Sequence, residues 1–235
     1  MFPLKDDVPS SSFPAINLWL IIVNVLCFVY ELMLGDHLNP FLSTYGFVPA
    51  RFMAAQAENY FDFGRFLPVF SSMFLHGGFL HVISNMWMLW IFGDNVEDSM
   101  GHGRYLFFYL LCGFVSVFAQ GLSAPGSVVP MIGASGAISG VLGAYFVLHP
   151  RARITTLVPI FFFLTIIRIP AFVFLGFWIL LQILQGSANL LDTGAGAKGG
   201  VAWWAHVGGF VMGFVLIHLF RKKKGRLVRK PWYQF

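Results

Sequence analysis

The chain has 235 residues, of which 57% are hydrophobic and 11% charged, with a mean hydropathy of +0.74. An average soluble domain carries about 25% charged residues, so this chain has more apolar surface than water tolerates, and the composition excludes an appended soluble catalytic domain. The net charge of +5 does not point to nucleic acid, because seven of the 15 Lys/Arg lie between Arg221 and Lys230 and the rest of the chain is net −2. Cys27 and Cys112 both sit in apolar runs and read as small buried hydrophobes, with no disulfide or metal-binding pattern.

A membrane span needs about 20 mostly apolar residues. Six stretches are read as spans: 16–34, 77–92, 105–122, 135–148, 170–184 and 201–220. The first has no basic leader and no small-residue cleavage site, so it is not a signal peptide. Its polar residues, Asn17, Asn24 and Glu31, are spaced by seven and share one stripe, which is expected to face other helices rather than lipid. Residues 36–75 mix aromatics with Arg51, Glu58, Asp62 and Arg65 and read as partly helical structure at the interface. Spans two, four and five are short or glycine-rich and belong inside the bundle or in thinned bilayer. The apolar stretch 154–169, interrupted by Pro159 and Arg168, reads as an interfacial loop or short hairpin, not a seventh span.

Lys/Arg placement sets orientation. With both ends cytoplasmic, 12 basic residues lie inside and three (Arg51, Arg65, Lys198) outside. The expected fold is an all-α polytopic membrane bundle of six transmembrane helices, N-in and C-in. Residues 1–13 form a cytoplasmic segment, 14–220 the membrane domain, and 221–235 a basic cytoplasmic tail for anionic lipid, each basic residue near the surface contributing about 1 kcal/mol. The basic tail and the lack of a transit peptide make a bacterial cytoplasmic membrane the expected compartment.

In this topology spans two, four and six run the same way, so their first turns lie at one depth near the outer face. Span two carries His81 and Asn85 on one face, span four opens with Gly133-Ala134-Ser135-Gly136, and span six opens with Trp203-Trp204-Ala205-His206. Gly136, Gly140 and Ala144 make a small-residue stripe on span four; Ala205, Gly209 and Gly213 make one on span six. Such stripes let helix backbones approach closely. If they face each other, Ser135 and His206 come within reach as a nucleophile and its general base. Spans two, four and six carry no acidic residue, so a dyad rather than a Ser-His-Asp triad is the available arrangement. Packing or a neutral hydrogen bond must then orient His206, from Trp203, Trp204 or Ser139.

These motifs resemble the rhomboid family of intramembrane serine proteases. The resemblance rests on Gly133-Ala134-Ser135-Gly136, Ala205-His206 followed by Gly209 and Gly213, His81-x-x-x-Asn85, and the Gly93-x-x-x-Glu97-x-x-x-Gly101 run, and it covers about residues 14–220. It implies a rhomboid-like fold, Ser135 as nucleophile and His206 as base. It also implies an oxyanion site of His81, Asn85, the Ser135 N–H and Gly133, with His76 in a structural or water-retaining role. Two positions depart from the family pattern: Leu67-Pro68 stands where many members carry a Trp-Arg pair, and Ser139 where some carry a tyrosine that packs on the histidine. The implied activity is endoproteolysis in or near the membrane segments of transmembrane protein substrates, without cofactor or metal. Residues 186–200 would then form a lid and span five a lateral gate. The alternative is an inactive relative acting as a membrane-protein chaperone or binder. A zinc site would need His-Glu-x-x-His, and an aspartyl site paired intramembrane Asp residues; neither pattern occurs.

Overall fold

The structure, a computed structural model, describes residues 1–58, 63–160, 163–191 and 200–222. A short strand β1 (Phe2–Lys5) precedes helix α1 (Ala15–Met33). Three short helices follow in the first loop: α2 (Leu38–Tyr45), α3 (Pro49–Glu58) and α4 (Leu67–Ser71). The bundle continues with α5 (Phe79–Met100), α6 (His102–Ser123) and α7 (Ser135–Leu148). A hairpin of β2 (Arg153–Ile160) and β3 (Phe163–Pro170) leads into α8 (Ala171–Leu191), and α9 (Trp203–Phe220) completes the described bundle.

Four of these helices, α1, α6, α8 and α9, are long and apolar enough to cross a membrane. Residues Phe63–Phe74 together with α5 make a fifth apolar unit, bent by 82° at the break. The remaining apolar helix, α7, has only 14 residues. It can be short because it meets other helices rather than lipid: every residue from Gly136 to Tyr145 is buried.

Glycine decides how closely α7 approaches its neighbours. A Cβ on Gly209 would run into the carbonyl of Gly136, and one on Gly213 into the carbonyl and Cα of Gly140. A Cβ on Gly143 would meet the carbonyl of Phe210. The two helices therefore touch backbone to backbone, and the gaps left towards α6 are filled by Ser116 against Gly136 and Cys112 against Gly140.

The polar stripe of α1 is buried, as its spacing predicts: Asn17, Asn24 and Glu31 are each almost inaccessible. Asn17 donates to the Leu89 carbonyl of α5 (3.0 Å) and accepts from Tyr105 of α6 (2.7 Å). Glu97 of α5 accepts the N–H groups of Ile16 (3.0 Å) and Asn17 (2.8 Å), which satisfies donors in the first turn of α1.

Helix α5 runs on to Met100, well past the end predicted at residue 92. Its polar end, Asp94, Asn95, Glu97 and Asp98, stays helical because distant partners satisfy it. Ser10 donates to Asp94 (2.9 Å), Ser12 to Asp98 (2.6 Å), and Asn95 donates to Asp6 (2.9 Å). The stretch 154–169 is the hairpin of β2 and β3, in register from Arg153↔Pro170 to Ile160↔Phe163. Sequence analysis assigned no element to residues 1–13. The structure finds β1 there, paired antiparallel to β2 with Phe2 opposite Leu157 and Pro3 opposite Thr156. The predicted lid 186–200 is helical up to Leu191 as the end of α8; its residues 192–199 lie outside the described residues, as do 223–235 of the basic tail.

Asp6 accepts from Tyr145 (2.5 Å) as well as from Asn95. Burial pushes its pKa from 3.8 up to about 7; the Tyr145 hydrogen bond opposes this, and Asp94 and Asp7 add to it. A carboxyl whose folded pKa is raised contributes stability fully present below its unfolded pKa and lost as pH rises through the folded one. The thermal midpoint in detergent is therefore expected to fall as pH is raised through about 7, and Asp6→Asn should flatten that slope. Gly213→Val should cost about 1–3 kcal/mol by overpacking the α7–α9 contact. Gly103→Ala, where an added Cβ meets nothing within 4 Å, should leave the midpoint in place.

Candidate active site

Three helix starts converge. Ser135 is the first residue of α7 and His206 lies in the first turn of α9. The start of α9 is held by α6: Gln120 Oε1 accepts the N–H groups of Trp204 (3.1 Å) and Ala205 (3.3 Å). With the glycine contact fixing the spacing between helices, Ser135 Oγ sits 2.8 Å from His206 Nε2.

The second ring nitrogen of His206 is held by a residue that sequence analysis missed. Gln182 of α8 places its Oε1 2.7 Å from His206 Nδ1. An amide oxygen only accepts, so Nδ1 carries the proton and Nε2 presents a lone pair to the serine hydroxyl. The ring also lies against Trp178 (centroids 5.8 Å apart, planes at 34°) and meets Trp203 edge-on at 6.3 Å. Of the orienting candidates from sequence, Ser139 is turned elsewhere: its hydroxyl donates to the Ser135 carbonyl at 2.6 Å. Trp203 contributes ring contact only. Gln182 had a legible signal, being the one side chain in the predicted span 170–184 with both hydrogen-bonding donor and acceptor capacity.

His81 stands on the other side of the serine. Gly77 N–H donates to His81 Nδ1 (3.3 Å), which leaves the proton on Nε2. That Nε2 lies against Gly133, 2.7 Å from where a Cβ would sit, and Gly133 has φ +127°. Gly133 is thus required twice, by its backbone conformation and by the space His81 occupies. Its own N–H donates to the Ser72 carbonyl at 2.8 Å, so Gly133 enters the site through the room it makes and not as the free oxyanion donor that sequence analysis assigned. Asn85 is buried, and its Nδ2 has no hydrogen-bond partner among the described residues. The side chain lines a cavity of about 280 Å³ together with Ser135, Ser139, Trp178 and His206. His76 is buried beside His81 (ring centroids 5.1 Å apart), and its N–H donates to the Glu31 carboxylate at 3.1 Å.

A serine hydrogen-bonded to a fixed, neutral histidine, with the unpaired Asn85 amide lining the same cavity, can make a nucleophile and stabilise an oxyanion. Residues 64–223 match the Rhomboid domain family. The chain belongs to the rhomboid family. Among rhomboid relatives, the human presenilin-associated rhomboid-like protein, mitochondrial, is 30% identical over 179 residues, 71% of this chain and 42% of that protein. The Bacillus subtilis rhomboid protease GluP is 38% identical over 81 residues, 34% of this chain and 15% of that protein. Rhomboid protein 1, mitochondrial, of Saccharomyces cerevisiae is 29% identical over 157 residues, 63% of this chain and 40% of that protein. The chain thus spans less than half the length of these relatives.

Removing the acceptor of His206 leaves its buried N–H unpaired, which costs about 1–3 kcal/mol. Gln182→Leu is therefore expected to slow fluorophosphonate labelling of Ser135 by roughly tenfold or more, a factor of ten corresponding to about 1.4 kcal/mol. An unchanged labelling rate would remove Gln182 from the site.

Proposed function

We propose that this chain is an intramembrane serine endopeptidase that cuts transmembrane protein substrates within or near their membrane segments. The observation that carries this reading is the Ser135 Oγ–His206 Nε2 hydrogen bond of 2.8 Å, with Nδ1 held by Gln182. Ser135 Oγ attacks the scissile carbonyl as His206 Nε2 takes its proton. His81 Nε2–H, Asn85 Nδ2 and the unpaired N–H at the start of α7 stabilise the oxyanion. The tetrahedral intermediate collapses as the imidazolium protonates the leaving amine, leaving an acyl-enzyme. Water, deprotonated by the same histidine, then hydrolyses the ester. Water must reach the site, so we place these helix starts near the aqueous face.

In this reading the six crossings are α1, α5 with its bent approach, α6, α7, α8 and α9. Both ends face the cytoplasm, because 12 of the 15 Lys/Arg then lie inside. The tail binds anionic lipid, and the compartment is a bacterial cytoplasmic membrane. Helix α8, which holds Gln182, is the lateral gate; the lid expected over residues 186–200 shares its first residues with the end of α8, and 192–199 lie outside the described residues. Both Ser135 and His206 are present, which favours the enzyme over an inactive chaperone.

Purified protein should label at Ser135 with a fluorophosphonate and cleave a single-span test substrate. Ser135→Ala and His206→Ala should each lose cleavage by a factor of about 10³ or more, the scale of losing one member of such a unit. Cleavage that survives Ser135→Ala would overturn the assignment.

A further inference from the structure

The cavity that holds Ser135 and His206 has an unexpected wall. Met1, Phe2 and Pro3 line it beside Trp87 and Met88 of α5 and Trp178 of α8. The segment is held there by named contacts. Trp87 Nε1 donates to the Pro3 carbonyl at 2.7 Å, and the Phe2 and Trp87 rings stack with centroids 5.4 Å apart. Beyond the strand, Arg153 N–H donates to Asp7 at 2.8 Å and Tyr145 to Asp6.

These contacts give β1 a direction. Phe2 is in the cavity of the dyad, whereas Asp6 meets Tyr145, ten residues further along α7 than Ser135 and so about 15 Å deeper. β1 therefore runs from the dyad inward. A substrate entering with its N-terminal side at the aqueous face would run the same way after its scissile bond.

Such a substrate segment needs a partner for its backbone. A peptide bond cannot be cut while its carbonyl is closed into a helix, and the unwound stretch exposes N–H and C=O groups that are costly in hydrocarbon. The edge of β2 offers what is missing. β2 has eight residues, yet β1 pairs only with Thr155, Thr156 and Leu157. Val158 to Ile160 continue past Phe2 towards the dyad end. β1 is also a weak occupant: it has four residues, it breaks register between Pro3 and Lys5, Pro3 has no N–H to give, and Phe2 is 45% exposed.

We propose that the edge of β2 is the docking strand for the stretch of an unwound transmembrane substrate C-terminal to its cleaved bond, and that β1 is a resident strap occupying that edge until substrate displaces it. This inference rests on the protease reading above. It adds an interaction surface outside the dyad and its oxyanion donors. Pairing on β2 satisfies the substrate backbone irrespective of side chains, so selection falls on how readily the segment unwinds.

The strap raises the apparent KM in inverse proportion to the fraction of time the edge is open, without changing kcat. An edge free about a tenth of the time gives about tenfold. Phe2 and Leu157 face each other across an antiparallel pair, a spacing a disulfide can span. The test is the full chain carrying Phe2→Cys, Leu157→Cys and Cys27→Ala in liposomes, compared oxidised and reduced. The substrate is a single-span peptide inserted with its N-terminus outside. Oxidation should abolish peptide cleavage while fluorophosphonate still labels Ser135, and reductant should restore cleavage in the same sample. Asp7→Ala, which removes the acceptor of the Arg153 backbone N–H outside the cavity and so loosens the strap, should lower KM several-fold at constant kcat.

A second arm uses Ser135→Ala with Leu157→Cys. Substrate cysteines placed after the cleavage site should crosslink to position 157, and those before it should not. Equal cleavage by the oxidised and reduced forms, or crosslinks only from residues before the site, would overturn the docking strand. Loss of labelling in the reduced protein would instead strike the protease reading, and the docking strand with it.

Discussion

The backbone contact between α7 and α9 is the constraint on which the rest of the molecule depends. In lipid no hydrophobic force draws two apolar helices together, so close packing of backbones has to supply the attraction. Gly136, Gly140, Gly209 and Gly213 permit that approach. The same closeness sets the 2.8 Å between Ser135 Oγ and His206 Nε2, since both residues lie within a turn of the contact. Stability and the geometry of the pair are one property of the interface, and a single added methyl acts on both.

The second organising principle is economy of charge. The pair is held by a neutral amide, Gln182, and its neighbour His81 has its tautomer set by a backbone N–H. Neither histidine needs an ion beside it. The buried carboxylates lie on α1 and at the far end of α5, where backbone N–H groups and serine hydroxyls satisfy them, Glu31 through the backbone N–H of His76. A buried charge without a partner is expensive, and these hydrogen bonds offset that cost where the carboxylates lie.

Much of this was legible in the sequence, and the parts that were not share a cause. The helices with long apolar runs, the bundle-facing stripe of Asn17, Asn24 and Glu31, and the small-residue stripes are all encoded in local periodicity. The convergence of Ser135, His206 and His81 follows once the direction of each helix is known. What escaped depends on partners far along the chain. The polar end of α5 reads as a stop until Ser10, Ser12 and Asp6 are seen to satisfy it. β1 has only four residues and no pattern of its own; it exists because β2 has an open edge. Gly133 entered the oxyanion site through the family resemblance alone, and only the fold shows its N–H taken by the Ser72 carbonyl.

The two carboxylates of Glu31 and Glu97 carry a consequence for how the chain can be divided. The family match begins at residue 64, which invites treating everything before it as an accessory. Yet Glu97 accepts the first N–H groups of α1, and Glu31 of α1 accepts the N–H of His76 just before α5. Each side of the boundary thus completes the other's hydrogen bonding. A fragment starting at the family boundary would strip Glu97 of the two α1 donors and leave it His102 as its side-chain partner, and the turn that carries His76 and His81 would lose its tether. The first helix is therefore an integral part of the bundle, and its hydrogen bonding is complete only with α5 packed on it.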